Sequence, residues 1–253
     1  MAKIKKIHKE KDTFLIIMPA YNEENCIEKV VHSWMTNVIN RHPGSEMIVI
    51  NDGSKDNTRQ ILDKLKKEFK RFKAIHKINE GHGATIVRGY LESTKTPHEW
   101  VFQTDSDDQF FQKDFDKLWR CRHKSNFILG NRLKRFDPLH RLILTKINVM
   151  LVAILFGCYI RDPNVPYRLM KIEYLKRLLR LLPKDVFAPN NILSILALKD
   201  GRNLISIPIS HKERKTGKIS IVKWKLIKVC FKMVKDLAFF RLRLPRITKT
   251  ISD

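Results

Sequence analysis

The first half of the chain alternates short apolar runs with amphipathic stretches. Three runs, 13–18, 46–51 and 99–104, have the length and composition of strands buried on both faces of a parallel sheet. Between them, apolar residues recur at helical spacing in stretches that begin near Glu23 and near Asp56. This alternation predicts an α/β fold, with a mainly parallel, doubly wound sheet flanked by helices.

The rest of the pattern predicts further elements of the same kind. They are a short strand at 73–76, a helix through Tyr90, a strand at 127–130, a helix ending near 160, a loop at 161–168, helices at 172–182 and 190–198, and a strand at 203–207. We therefore divide the chain into a basic lead-in at 1–12, one domain at 13–218 and a basic amphipathic helical segment at 219–253.

Two segments in the second half bear on membranes. The uncharged run 147–160 is shorter than the roughly 20 residues that span a bilayer, which favours a buried or interfacial helix. In the C-terminal segment, cations recur at three- and four-residue steps beside a wide apolar arc, as in helices lying in a membrane interface. A core helix with lysines at its edge is the alternative. The cations are Lys225, Lys228, Lys232 and Lys235.

Oxygen-bearing side chains alternate directly after the third apolar run. Asp105, Asp107 and Gln109 lie two residues apart, so in extended backbone they share one face. Such oxygens suit a hard divalent cation that keeps a diphosphate in its shell. Because ligands bind beyond the carboxyl ends of strands in open α/β sheets, this cluster and the polar loops after the other two runs are expected to line one crevice.

Charge and cysteine content narrow the possible partners. The formal net charge of +24 suits nucleic acid, an anionic membrane surface or phosphorylated substrates. The four cysteines form no C-x-x-C pair, which argues against a zinc site or disulfide framework and suits a reducing compartment. No G-x-G-x-x-G follows a strand, so a dinucleotide oxidoreductase is disfavoured.

An ordered set of motifs extends these observations across the domain. The chain resembles the family 2 glycosyltransferases with a GT-A, Rossmann-like fold, and is most similar to the polyprenyl-phosphate (dolichol-phosphate) sugar synthase branch. The motifs that carry this resemblance are Met18-Pro-Ala-Tyr-Asn-Glu-Glu24, Val49-Ile-Asn-Asp-Gly-Ser-Lys-Asp-Asn-Thr58, Gly81-His-Gly-Ala84, Gln103-Thr-Asp-Ser-Asp-Asp-Gln109, Gly130-Asn-Arg132, Asp162 with Tyr167-Arg-Leu169, and Glu213-Arg-Lys-Thr-Gly-Lys218.

The resemblance implies a role for each matched position. Residues implied to bind the nucleotide sugar are Pro19, Ala20, Tyr21, Glu23, Asp52, Gly53, Ser54, Asp105 and Ser106. Mg²⁺ or Mn²⁺ would be held by Asp105, Asp107 and Gln109. The implied catalytic residues are Asp107, Arg132 and Arg168, with both arginines facing phosphates of donor or acceptor. The loop 213–218 would close over the site near the membrane.

The resemblance implies an inverting, metal-dependent hexosyltransferase, peripheral on the cytosolic membrane face. A polyprenyl phosphate acceptor needs little general-base help, since the second pKa of a phosphate monoester is about 6, whereas an alcohol acceptor needs a base. Amides stand at Asn190 and Asn191 where an acidic base is usual, although Asp162 and Asp185 are possible bases. Transfer to a glycan hydroxyl is therefore the alternative.

A third reading belongs to another class of protein. A non-catalytic module could use the basic surface alone to bind a membrane or nucleic acid. The acidic cluster at the end of the third run argues against it, because carboxylates weaken polyanion binding. We therefore expect an enzyme that does not bind nucleic acid, of undetermined oligomeric state.

Overall fold

The computed structural model describes residues 12–136, 139–201, 203–213 and 231–244. In these ranges the chain folds into one mixed sheet with helices on both faces. Seven strands form the sheet, in the order β3-β2-β1-β4-β6-β5-β7. They are β1 (Phe14–Ala20), β2 (Glu46–Asp52), β3 (Phe72–Lys77), β4 (Trp100–Thr104), β5 (Phe127–Arg132), β6 (Tyr167–Lys171) and β7 (Leu204–Ile209).

Within the described residues, eight helices accompany the strands. They are α1 (Ile27–Asn37), α2 (Thr58–Glu68), α3 (His82–Ser93), α4 (Phe115–Arg120), α5 (Leu139–Phe156), α6 (Ile172–Arg180), α7 (Pro189–Lys199) and α8 (231–244). Short 3₁₀ turns lie at Ile39–Arg41, Gln112–Asp114 and Arg122–Lys124. The mostly parallel sheet with flanking helices confirms the predicted fold class.

The N-terminal half follows the predicted alternation closely. Strands β1 and β2 are buried along almost their full length, since helices cover both faces of the sheet. Helix α1 begins later than predicted, because the carbonyl of Glu23 first accepts the backbone N–H groups of Cys26 and Ile27 in a turn. Helix α2 begins at Thr58, whose N–H is accepted by the Asp56 carboxylate at 3.0 Å.

Strand β6 is the main departure from the sequence prediction. Residues 161–168 were expected to form a loop, yet Tyr167 and Arg168 begin a strand that runs antiparallel between β4 and β5. The five-residue strand contains Arg168 and Lys171, and so lacks the continuous apolar run of its neighbours. Its position is decided by pairing with β4 and β5, which are distant in sequence.

The predicted terminal segments lie mostly outside the described residues. These are residues 1–11 of the lead-in, the loop 214–218, and residues 219–230 and 245–253 of the basic C-terminal segment. The described part of that segment, α8, buries Met233, Leu237, Phe240 and Leu244 against the domain. Among the residues described, no helix combines the length and apolarity needed to cross a bilayer.

Candidate active site

Three loops at the carboxyl ends of β1, β2 and β4 are tied together by hydrogen bonds. The backbone N–H of Asn22 donates to the Ser54 hydroxyl at 2.9 Å, which joins the loops after β1 and β2. The Cys26 thiol donates to the Ser106 carbonyl at 3.3 Å, which joins the loop after β1 to the loop after β4. The structure therefore brings the three predicted polar clusters into one region.

Asp52 lies at the centre of a hydrogen-bond network at the end of β2. Its buried carboxylate accepts hydrogen bonds from Lys77 Nζ at 2.5 Å and from the backbone N–H groups of Glu80 and Gly81 at 2.9 and 3.0 Å. Burial acts to raise the pKa of Asp52, but the hydrogen bonds from Lys77 and Glu80 outweigh it and lower the pKa. The residue is thus an ionised acceptor at the end of β2.

Gly53 permits the close approach of two loops at this point. Its φ is +65°, and a Cβ added there would lie 2.8 Å from the backbone nitrogen of Asn79. Asn79 in turn donates its side-chain amide to the Asp52 carbonyl at 2.9 Å. A side chain at position 53 would separate the loop after β2 from the loop before α3, so glycine is required by packing as well as by φ.

The metal-ligand candidates lie on the loop after β4. Asp105 and Asp107 are partly exposed, whereas Ser106 between them is buried; the strand ends at Thr104, and residues 106–108 form a bend. Gln109 is also buried, and its amide Nε2 donates to the Lys212 carbonyl at 3.2 Å. That bond leaves Oε1 as the atom able to ligate a cation.

This donor set fits a divalent cation with help from the substrate. Two carboxylates and one amide oxygen are hard oxygen donors, which Mg²⁺ and Mn²⁺ accept. Within the described ranges, no three His, Cys, Asp or Glu side chains come together as a metal-binding group. A cation held by Asp105, Asp107 and Gln109 would therefore rely on diphosphate oxygens to complete its shell.

Asp108, inside this loop, has contacts that the sequence did not reveal. It adopts φ +56°, in the left-handed region that few non-glycine residues occupy. Its carboxylate accepts from Lys29 Nζ of α1 at 2.9 Å and from Lys212 Nζ, beyond β7, at 2.6 Å. Burial acts to raise the pKa of Asp108, but the hydrogen bonds from Lys212 and Lys29 lower it. Asp108 therefore joins both halves of the domain to the loop 105–109, which we call the metal loop because it carries the candidate metal ligands.

Arg132 ends β5 in a cationic cluster. Its guanidinium donates to both carboxylate oxygens of Asp162, at 2.6 and 3.0 Å, in the bidentate arrangement typical of arginine. Arg135 lies 3.8 Å from the same carboxylate. Two guanidinium groups therefore lie beside one carboxylate at the end of β5, and guanidinium geometry suits phosphate binding.

The Arg168 side chain is fully buried and surrounded by backbone carbonyl groups. The side chain is 0% exposed, and it donates to the carbonyls of Pro163, Val165 and Asn190 and to the Ser194 hydroxyl. Burial lowers the pKa of the guanidinium, although the nearby Tyr90, Asp162 and Asp105 act to raise it. In this structure Arg168 holds the 163–165 loop against α7, and the phosphate contact that the resemblance implies for it stays a prediction.

The remaining predicted residues divide by exposure. Pro19 and Ala20 are buried strand residues paired with Ile50 and Asn51 of β2, so only their backbone can face a ligand. Tyr21 is 41% exposed at the end of β1. Glu23 is buried, and its carboxylate accepts from the Cys26 thiol at 3.2 Å.

Sequence reasoning missed several residues of this region. The sequence analysis assigned no individual role to Lys77, Asp108, Lys212 or Tyr90. The Tyr90 hydroxyl lies 2.6 Å from Gln103 Oε1 and 2.8 Å from Asn190 Oδ1, in a buried polar group beneath the metal loop. No local periodicity marks them, because each acts through a partner distant in sequence.

Solved structures share this architecture. Glucosyl-3-phosphoglycerate synthase from Mycobacterium tuberculosis, in complex with Mn²⁺, uridine diphosphate and phosphoglyceric acid, matches with a TM-score of 0.64 and 17% identity. The match covers 89% of this chain and 78% of that chain. The fold, with acidic residues after the fourth strand, is that of the GT-A class of glycosyltransferases.

Sequence comparison gives the family. Residues 15–182 match Glycosyl transferase family 2, and the chain belongs to that family. It is 26% identical to the UDP-N-acetylglucosamine–dolichyl-phosphate N-acetylglucosaminyltransferase of Methanococcus voltae, over 77% of this chain and 83% of that protein. It is 24% identical to an undecaprenyl-phosphate 4-deoxy-4-formamido-L-arabinose transferase of Salmonella choleraesuis, over 90% of this chain and 68% of that protein. The predicted resemblance to the polyprenyl-phosphate branch is confirmed.

Proposed function

We propose that this protein transfers a sugar from a nucleotide-sugar donor to a polyprenyl phosphate, with inversion, on the cytosolic face of an anionic membrane. The curated relatives named above support the acceptor class, because both names specify a polyprenyl phosphate. The family relationship supports the reaction type.

The hydrogen bonds of Asp162 favour a phosphate acceptor over a hydroxyl acceptor. Asp162 was a candidate base for activating a glycan hydroxyl, but its carboxylate is held by Arg132 through two hydrogen bonds. Both oxygens that would receive the proton of a hydroxyl acceptor therefore already accept hydrogen bonds from the guanidinium. Asn190 and Asn191 are buried amides. A phosphate acceptor, largely dianionic at neutral pH, needs no base there.

Different residues would serve different parts of the reaction. A divalent cation at Asp105, Asp107 and Gln109 would supply charge neutralisation for the departing nucleoside diphosphate. Arg132 and Arg135 would receive phosphate oxygens of the acceptor or donor. One acceptor oxygen forms the new bond to the anomeric carbon as the bond to the donor diphosphate breaks, and the electron pair leaves with the diphosphate.

The nucleotide half has the groups to hold a base and its diphosphate. Asp52 presents an ionised acceptor beside the Lys77 ammonium. A base edge that carries an N–H could donate to the Asp52 carboxylate, whereas Lys77 directs its protons to Asp52, Ile78 and Glu80. The base of a uridine donor carries such an N–H, and uridine diphosphate is named for the mycobacterial neighbour.

Asp105→Asn and Asp107→Asn test this proposal directly. Each change is nearly isosteric, and each should reduce sugar transfer to a polyprenyl phosphate by at least about 100-fold while leaving thermal unfolding unchanged. Asp116→Asn is the matched control and should retain activity. Asp116 lies on α4, and its carboxylate pairs with Arg41.

The identity of the product decides between acceptors. A radiolabelled, acid-labile lipid product that requires Mg²⁺ or Mn²⁺ supports the proposal. An alkali-stable, glycan-borne product with no lipid-phosphate species would instead establish transfer to a hydroxyl. Full turnover by Asp105→Asn/Asp107→Asn, the two changes combined, in a chelator would exclude the metal-dependent mechanism.

A further inference from the structure

The ammonium group of Lys77, at the end of β3, is largely buried and has a partner for each of its protons. The side chain is 12% exposed. Its Nζ donates to Asp52 Oδ1 at 2.5 Å, to the Ile78 carbonyl at 2.9 Å and to Glu80 Oε2 at 2.8 Å. Because an ammonium group carries three protons, these partners leave none for a ligand. Lys77 is therefore not placed to bind a donor phosphate itself.

The Asp52 carboxylate is close to its full capacity as a hydrogen-bond acceptor. Oδ1 accepts from Lys77 and from the Glu80 N–H, and Oδ2 accepts from the Gly81 N–H. The Thr85 hydroxyl is also close, but its single proton is donated to the Gly81 carbonyl at 2.9 Å. Since a carboxylate accepts about four hydrogen bonds, one acceptor position remains, and it lies on Oδ2.

The contacts of Lys77 and Asp52 close a ring between two loops. Lys77 binds the Asp52 side chain on one side and residues 78 and 80 on the other, while the N–H groups of residues 80 and 81 return to Asp52. Asn79 donates its side-chain amide to the Asp52 carbonyl at 2.9 Å, which fixes the backbone of Asp52 as well. The orientation of the carboxylate thus depends on Lys77.

Stability alone does not account for a buried ion pair at this position. Removing a carboxylate and an ammonium group from water is costly, and apolar residues of similar volume often serve stability equally well. Lys73, on the same strand, shows the usual arrangement, because it pairs with Glu46 at 2.7 Å while its side chain stays 53% exposed. The burial of Lys77 beside the candidate nucleotide pocket therefore points to a role in binding.

We infer that Lys77 is a positioning residue for the nucleobase of the donor. It fixes the Asp52 carboxylate so that the free acceptor position on Oδ2 receives an N–H of the base, and it does not touch the donor itself. The inference rests on the proposed nucleotide-sugar donor, and it assigns donor recognition to a residue outside the motifs of the sequence analysis.

Calorimetry with two nucleotides in the presence of Mn²⁺ tests this role. The probes are uridine diphosphate and its N3-methyl derivative, which lacks the base N–H. The wild type should bind the methylated nucleotide about tenfold more weakly, since one hydrogen bond to a charged acceptor is lost. Lys77→Met should weaken binding of uridine diphosphate about tenfold and should leave the weak binding of the methylated nucleotide unchanged.

This pattern separates positioning from a general structural role. A variant with a distorted pocket loses affinity for both nucleotides, because the ribose and diphosphate contacts are damaged too. Equal weakening of both nucleotides, unchanged binding of uridine diphosphate in Lys77→Met, or equal binding of both nucleotides by the wild type would overturn the inference. A wild type that does not bind uridine diphosphate would overturn it as well.

Two further variants complete the comparison. Lys73→Met removes a lysine from the far end of the same strand, and it should bind both nucleotides as the wild type does. Lys77→Gln keeps two amide protons and covers the case that the methionine variant does not fold. It should show the same selective loss for uridine diphosphate, reduced to about threefold. Circular dichroism melting checks the fold of each variant.

An assay of the product separates this inference from the proposed function. At a saturating concentration of a uridine diphosphate sugar, Lys77→Met should keep the wild-type kcat, whereas KM for the donor should rise about tenfold. If the wild type binds uridine diphosphate but forms no lipid-linked product, the proposed function fails, and the comparison of the two nucleotides still decides the role of Lys77.

Discussion

Replacing Asp108 tests whether the metal loop is held by its two lysine contacts. Asp108 lies between Asp107 and Gln109, and its carboxylate joins Lys29 of α1 to Lys212 beyond β7. Asparagine tolerates the left-handed backbone that this residue adopts at φ +56°, so Asp108→Asn should preserve the turn and remove only the charge.

The expected magnitude follows from the exposure of the two lysines. The Lys29 side chain is 75% exposed, so its ion pair contributes about 0–1 kcal/mol. Lys212 is 28% exposed, and its hydrogen bond to a charged partner contributes about 1.5–3 kcal/mol. Because asparagine still accepts one bond, we expect the free energy of unfolding to fall by about 1–2 kcal/mol. A comparable loss of positioning would lower kcat/KM about tenfold.

The pH dependence provides a second readout. The pKa of Asp108 in the folded protein lies below its ordinary value of 3.8. Its contribution to stability is therefore complete above that ordinary value, and it is lost as pH falls through the folded pKa. The difference in unfolding free energy between wild type and Asp108→Asn should be constant near neutral pH and should shrink in acid.

Metal titration is the decisive assay for this variant. We expect Asp108→Asn to require more Mn²⁺ for half-maximal activity, because the loop that carries Asp107 and Gln109 is less well held. Asp116→Asn, which removes a surface ion pair with Arg41, is the control and should leave metal dependence unchanged. Wild-type metal dependence and kcat/KM in Asp108→Asn would refute the argument.

Two further changes probe the arginines. Arg168→Met should lower the free energy of unfolding by about 3–5 kcal/mol, because the buried carbonyls of Pro163, Val165 and Asn190 lose their donor. Denaturant titration measures this loss, and a value below about 1 kcal/mol would contradict the assigned hydrogen bonds. Arg132→Ala should lower kcat/KM for a polyprenyl phosphate by about 100-fold, since a charge-assisted phosphate contact is removed. Arg88→Ala, which removes an exposed cation paired with Glu92 on α3, is the control. An equal loss of kcat/KM in this variant would show that the effect of Arg132→Ala comes from the change in net charge and not from a phosphate contact.

Local patterns predicted the N-terminal half of the fold well. Strands β1, β2 and β4 are continuous apolar runs, and the helices between them show clear periodicity, so their order follows from neighbouring residues. The alternation predicted for extended backbone holds for Asp105 and Asp107, which are partly exposed on either side of the buried Ser106, but not for Gln109, which is buried beyond the bend where Asp108 adopts φ +56°. The metal roles of these residues and the remaining residue assignments stay predictions.

The second half of the domain required the tertiary structure. Strand β6 is short and charged, and pairing with β4 and β5 decides its place in the sheet. Arg168 looked like a phosphate ligand from its motif, yet the fold surrounds it with carbonyl groups from the 163–165 loop and α7. A motif identifies a residue type, whereas the direction of a buried side chain depends on which distant segments pack around it.

The sequence by itself thus determined the fold class, the family resemblance and the positions of the acidic loop, because these depend on local periodicity and motif order. Only the tertiary structure decided that Asp162 holds Arg132, that Lys212 reaches Asp108 from 104 residues away, and that Met150 and Ile154 of α5 stay exposed. The physical reason is shared by all three. Ion pairs and exposed faces depend on which separate segments pack together, and a local sequence pattern does not predict these long-range contacts.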